Sequence, residues 1–449
     1  MPPKPPRTEE NRQRRIARTG SGQAFVFLVV GIVLSVSVLS SIGENRIAQS
    51  HIVLEESGSS DESLSHREAP VCDRAMVPEY DRQMRRVVVS LSSSDANPEL
   101  QDEVLRHLPN YTQIVFLVPG KRLLEIEGWI ATKPYGSRTN LVTYDPQYRR
   151  SARLYLLLPD EDQLVAVDTE DFSVGTQHGT IWAQDLFEVA FGSPDRSWLL
   201  TSCVHKCFQG MRNHSDLHVA SDNTYLDRLE DASTAVQRLD LAFKGGNVLC
   251  DVHSGETIAF CGYDSIRSTR TIWSAFHGET LSDQQIAERF QKALGVDRVI
   301  LAGPAKPQPK FLYHLDQAML FLPDSTVAVS RVVGETPRLE PDASQIRTIR
   351  IFLANLRTSL DELGYSVIDM ETPVENVLRH QHYVNGIPYV DSATRRRTVL
   401  MPVFPSSDNA EVVARNTERF EQLGYHVRHV PTSAYRLTGG IHCLVNVLE

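Results

Sequence analysis

The chain has 449 residues, with 46 Lys and Arg against 56 Asp and Glu, a formal charge of −10 and 41% hydrophobic residues. Such a balance excludes a chain disordered throughout, a collagen-like fibre and a polytopic membrane protein. An acidic chain also lacks the field that grips a phosphate backbone, which argues against nucleic acid as a partner.

The N-terminus departs from this average. Residues 1–23 carry six basic side chains (Lys4, Arg7, Arg12, Arg14, Arg15 and Arg18) against Glu9 and Glu10, and form a basic tail. Residues 24–42 then run for 19 positions without a charge, AFVFLVVGIVLSVSVLSSI. At about 1.5 Å of helical rise per residue, that is long enough to span a hydrocarbon core. The run is apolar on every face, unlike a buried core helix. Basic residues before it and Glu44 after it predict a single-pass transmembrane helix or signal anchor, with the N-terminus inside and the remainder outside the cytoplasm. Cleavage as a signal peptide, which would release a secreted protein, is the competing reading. Residues 43–84, with GSSDESLSHREAP at their centre, read as a flexible linker from membrane to domain.

From Arg85 onward, short apolar runs alternate with amphipathic stretches, which predicts an α/β domain over 85–449. RRVVVSL (85–91) and QIVFLVP (113–119) read as strands, and residues 98–108 as a helix. A helix-to-strand joint then recurs as LGVDRVIL from Leu294, LGYSVIDM from Leu363 and LGYHVRHV from Leu423, at spacings of 69 and 60 residues. In each, the glycine sits where a helix ends in a left-handed residue. The period predicts five or six repeated modules; a doubly wound sheet with shared cap chemistry is the alternative.

Six cysteines are too few for the core to depend on disulfides. CVHKC (203–207) lacks the second pair of ligands that structural zinc uses, so no metal site is expected.

Four motifs carry residues able to do chemistry. TIWAQDLFEVAFG places Asp185 after Trp182 and Gln184. FKGGNVLCDVHSGETIAFCGY places Gly245 and Gly246 before a hairpin that turns at 253–256. In FLYHLDQAMLFLPDSTVAVSR, His314 and Asp316 stand two residues apart, on one face if the run is a strand. In YRLTGGIHCLVNVLE, Cys443 follows Gly439 and Gly440 at the start of a short apolar run; read as a strand, it puts His442 on the opposite face from Cys443.

The joint order of these motifs resembles the guanidine-modifying, or pentein, superfamily, which includes agmatine deiminases, protein-arginine deiminases, arginine deiminases and amidinotransferases. WAQD is similar to the W-x-Q-D of the protein-arginine type. The resemblance implies a pseudo-fivefold β/α propeller of ββαβ modules and an amidine hydrolase that needs no cofactor. It implies Cys443 as nucleophile, His314 as general acid and base, and Asp185 and Asp316 as carboxylates that bind the guanidinium, with Trp182 and Gly440 as further substrate-binding residues. The implied substrate is a small guanidino compound or the arginine of a peptide. One departure stands out: Lys244 occupies the position where agmatine and arginine deiminases carry a Glu before the paired glycines. An amidinotransferase, or a non-catalytic propeller serving as a membrane-anchored binding module, are the alternatives.

Overall fold

The computed structural model describes residues 74–449, apart from 92–97, 145–153, 158–163, 168–180, 193–195, 203, 207–215, 221–225, 303–308, 310, 313 and 406–408. The basic tail, the apolar run at 24–42, the linker up to residue 73, and Cys203 and Cys207 lie outside these residues. Among the described residues, no helix is long and apolar enough to cross a membrane.

The repeat read from the glycine caps is a repeat of small sheets. Val248–His253 and Glu256–Gly262 form the expected hairpin, and Arg298–Ala302 joins the second strand in parallel. Two helices, Tyr263–His277 and Asp283–Leu294, fill the crossover, since strands paired in parallel need a long return connection. The same plan recurs in Met319–Leu322, Thr326–Val333 and Ser366–Pro373 around the helix Asp342–Glu362. It recurs again in Ile387–Val390, Arg397–Val403 and His426–Pro431 around the helix Ala410–Gln422. A fourth sheet joins Val445–Val447 to Arg86–Ser90 antiparallel, then adds Gln113–Pro119 and Thr139–Tyr144 in parallel. In the fifth, Arg74–Met76, Glu188–Gly192 and Arg196–Ser202 pair antiparallel and Thr234–Leu239 joins in parallel. A further antiparallel sheet, in the order Leu164–Val167, Leu154–Leu157, Asp216–Ala220, Val204–Lys206, is inserted into this last module.

Local chemistry sets the element ends. Ser282 and Gln285 make a reciprocal capping box at the start of Asp283–Leu294, which satisfies two N–H groups that have no partner within the helix. Gly295, Gly364 and Gly424 take φ of 66°, 88° and 81°, the left-handed region that ends a helix at little cost only when Cβ is absent. Each helix buries one stripe. Ile346, Ile349, Phe352, Leu353, Leu356 and Leu360 face the sheet at helical spacing, each fully buried side chain contributing about 1.5–3 kcal/mol.

Two expectations need correction here. The linker ends earlier than residue 84: Arg74–Met76 is a strand, and Tyr80 and Arg82 are buried. Their anchors lie far along the chain, so the charged, aperiodic local sequence carried no sign of them. The segment 441–448 is not a single strand either, because Ile441–Leu444 forms one helical turn before the strand Val445–Val447.

Candidate active site

The four motifs come together in space. Asp185 sits in the short turn Ala183–Leu186, directly after Trp182. Gly245–Asn247 is another short turn, and the buried Asn247 Oδ1 accepts the Leu315 N–H at 3.1 Å. Thus the Gly-Gly-Asn motif holds the His-Leu-Asp motif in place. His314 and Asp316 are not on a strand: Leu315–Gln317 is a single tight turn. Both side chains nevertheless stand over the same backbone, that of Gly246. A Cβ built on Gly246 would lie 2.7 Å from Asp316 Oδ2 and 3.0 Å from His314 Nδ1, so no other residue leaves room for both.

Cys443 is 4% exposed, and its Sγ lies 3.3 Å from Asp316 Oδ2. The helical turn that carries it starts against Asn385. The Asn385 Oδ1 accepts the His442 N–H at 3.1 Å, and its Nδ2 donates to the Asp316 carbonyl at 3.3 Å and approaches Cys443 Sγ at 3.6 Å. Asn385 therefore supplies from another module the oxygen that an N-cap residue would supply locally. Gly440 makes this approach feasible, since a Cβ there would fall 2.1 Å from Asn385 Oδ1. The ring of Trp182 packs in the same way on Gly439. Trp182 and Gly440, expected to bind substrate, thus shape the walls that hold Cys443.

In one respect the local reading failed. His442 lies on the same side as Cys443, because the chain turns as a helix there, and its Nδ1 is 2.9 Å from Asp316 Oδ2. Its Nε2 is 2.7 Å from Glu79 Oε2. Burial alone would lower the His442 pKa, but the Glu79 and Asp316 carboxylates raise it to about 10. Glu79 is held below its ordinary value: burial opposes this, and His442 and Arg82 outweigh it. Burial pushes the Cys443 thiol well up, as do the Asp316 and Asp185 carboxylates, while the Gly440 N–H works the other way. These surroundings favour the thiol form of Cys443. His314 Nδ1 lies 3.6 Å from Asp185 Oδ1.

Asp316 Oδ1 and Asp185 Oδ1 are buried and make no hydrogen bond to the described residues. Two carboxylate oxygens without a hydrogen bond, near a sulfur and with one of them facing an imidazole, suit a flat cation with paired N–H groups. Lys244 immediately precedes the Gly-Gly turn and is half-buried.

Glu79, Asn385 and His442 were absent from the sequence reading as site residues. Asn385 lies in none of the four motifs, Glu79 lies in what looked like linker, and His442 was set aside on a strand geometry that does not form. A helical reading of GGIHC would have found His442; nothing local marks the other two.

Residues 146–447 match the sequence profile of the Porphyromonas-type peptidyl-arginine deiminase family. The chain belongs to that family. Among solved structures, it is similar to an agmatine deiminase of Enterococcus faecalis, at 14% identity and a TM-score of 0.53, over 83% of this chain and 95% of that one. It is also similar to the C. jejuni agmatine deiminase, at 12–13% identity in its two structures and a TM-score of 0.51, over the same shares. At such identities the likeness is one of fold, and the fold is of the pentein α/β type. A search of curated proteins found no match by sequence.

Proposed function

We propose that this deiminase-family chain hydrolyses the guanidino group of agmatine, arginine or a peptidyl arginine to a ureido product and ammonia, through a covalent thiouronium on Cys443. The observation that carries the reading is the pair of buried carboxylate oxygens without a hydrogen bond, Asp316 Oδ1 and Asp185 Oδ1, the second facing His314 Nδ1 at 3.6 Å, in the cluster that holds the Cys443 thiol. A guanidinium carbon is a poor electrophile because its charge is delocalised. Two carboxylates binding its N–H groups fix its plane for attack and hold it away from water. The bound cation also offsets the carboxylate charge that keeps Cys443 protonated, so the thiolate becomes accessible when substrate arrives. Cys443 gives its proton to His314 as sulfur adds to the guanidinium carbon. The tetrahedral adduct expels ammonia once that nitrogen gains a proton from His314, and His314 then takes a proton from the water that releases the ureido product.

The pairing plan of the five sheets favours a pseudo-fivefold propeller around this site. The apolar run at 24–42 would tether the domain outside the cytoplasm. The test is to incubate the protein with free arginine, agmatine and an arginine peptide, assay ureido product and ammonia, and trap the adduct for mass spectrometry. A reading with no ureido product from any of the three, at full occupancy, would remove the proposal. Transfer of the amidino group to an added amine would recast the chain as an amidinotransferase.

A further inference from the structure

Residues 77–82 lie outside the paired strands of the five sheets and outside the family-matched residues 146–447. The chain is held before Glu79 by the strand Arg74–Met76, which pairs with Glu188–Gly192, and after it by two side chains. The Tyr80 hydroxyl donates to Asp251 Oδ1 at 2.6 Å, and Arg82 donates from Nη1 to the Val447 carbonyl at 2.9 Å and from Nη2 to the Val77 carbonyl at 3.0 Å. Glu79 is thereby presented to His442, while its Oε1 accepts from Gln184 Nε2 at 3.4 Å. His442 is 3% exposed, and both its ring nitrogens face carboxylate oxygens. A neutral imidazole has one N–H, so one of those contacts would set lone pair against lone pair. With both carboxylates ionised, only the doubly protonated ring satisfies both.

We propose that Glu79 is a positioning residue for the deimination described above: it keeps His442 doubly protonated, and the imidazolium in turn clamps Asp316 with Oδ2 toward Cys443 and Oδ1 toward the guanidinium. The proposal rests on that reading of the site for its catalytic consequence, though not for the state of His442. The charged and titratable groups around the ring are Glu79 and Arg82 from the N-terminal segment, Glu188 from the strand Glu188–Gly192, Cys250 from the strand Val248–His253, Asp316 from the His-Leu-Asp turn, and Cys443 beside it. Burial pushes Glu188 well above the ordinary carboxylate range, with Arg82 opposing, so Glu79 and Asp316 are the anions that hold the proton on His442. Without Glu79, the ring would lose its second proton at lower pH, and Asp316 Oδ2 would no longer be guaranteed a donor.

The experiment compares the 449-residue chain with its Glu79→Gln variant, which keeps the shape and removes the charge. Ring-labelled histidine is followed by NMR across pH, with the His442 signal assigned from His442→Gln. The wild-type ring is expected to stay doubly protonated through pH 8, and its midpoint to fall by about one unit or more in Glu79→Gln. The alkaline limb of the kcat profile should move down in parallel, with kcat at pH 8 reduced about tenfold and KM changed less. A wild-type ring with one proton at pH 7 would overturn the proposal, and so would identical midpoints and pH profiles in the two proteins. Should Glu79→Gln not fold, the wild-type titration alone decides the state of His442, and Glu79→Asp supplies the second midpoint. The titration needs no substrate, so failure to turn over any guanidino compound would count against the deiminase reading and leave this measurement standing.

Discussion

His442 Nδ1 and Cys443 Sγ, neighbours in the chain, converge on one atom, Asp316 Oδ2, at 2.9 and 3.3 Å. A carboxylate that receives a donor from both sides of one helical turn cannot swing freely. Its other oxygen is thereby given a fixed direction, which is the condition for binding a planar cation in one plane. The predictions below follow from this shared atom and from the backbones packed against it.

Asp316→Asn should act on the nucleophile as well as on the substrate. The carboxylate raises the Cys443 pKa, so removing its charge lowers that pKa and moves the pH dependence of Cys443 alkylation by iodoacetamide to lower pH. At the same time kcat/KM should fall on the order of a hundredfold or more, as one charged contact to the cation is lost. Alkylation that moved to higher pH would contradict the assigned contact.

Replacing Cys443 by Ala should abolish turnover of every guanidino compound and leave the fold intact. The residue is small, and although the Asp316 carboxylate loses one donor, Asn385 still holds the His442 N–H and the Asp316 carbonyl. Steady-state assay and thermal unfolding check the two parts separately; product formation in the variant would discard the nucleophile.

Gly246→Ala and Gly255→Ala form a matched pair. At Gly246 the added methyl meets Asp316 Oδ2 and His314 Nδ1, so the two side chains are driven apart and kcat/KM should drop about a hundredfold, the scale of an ångström-sized misplacement. At Gly255, in the remote hairpin turn, nothing lies within 4 Å, and the backbone has φ of +87°. That variant should lose roughly 1 kcal/mol of stability with activity kept. Denaturant titration and kinetics on both variants test the contrast.

Asn385→Ala strips the helical turn of its acceptor for the His442 N–H and leaves the Asp316 carbonyl without its donor. About 1–3 kcal/mol of stability should go with it, the cost of buried polar groups left unpaired. A loss in kcat greater than the stability change explains would show that the turn had moved. Urea unfolding and kcat on the same preparation measure both.

Stability should depend on alkaline pH through His442. Its folded pKa of about 10 lies above the unfolded reference of 6.5, so its contribution is complete below the unfolded value and is lost as pH rises through about 10. Wild-type Tm should therefore fall between pH 7 and 10 more steeply than that of His442→Gln, as differential scanning calorimetry would read. Parallel curves would show that the ring carries no such charge.

The modules were legible because their signals are local. A glycine after an amphipathic helix, as at Gly295, Gly364 and Gly424, reports its own backbone angle, and the apolar strands report their own burial. The chemistry-bearing residues Asp185, His314, Asp316 and Cys443 stood out for a different reason: their order along the chain resembles a known superfamily. Their contacts were not legible. His314 and Asp316 were expected to align along a strand, and they instead stand together over Gly246 on a tight turn. His442 was assigned the wrong face because Asn385, 57 residues earlier, turns Ile441–Leu444 into a helix.

The sequence by itself determined the α/β class, the repeated joints and the hairpin at 253–256, which depend on neighbours a few positions away, and it offered Asp185, His314, Asp316 and Cys443 as candidates through their order along the chain. Tertiary structure alone decided that Glu79, Asn385 and His442 belong with them. Their partners are 57 to 363 residues distant, and hydrogen bonds over such spans depend on how modules pack, which no local pattern of polarity records.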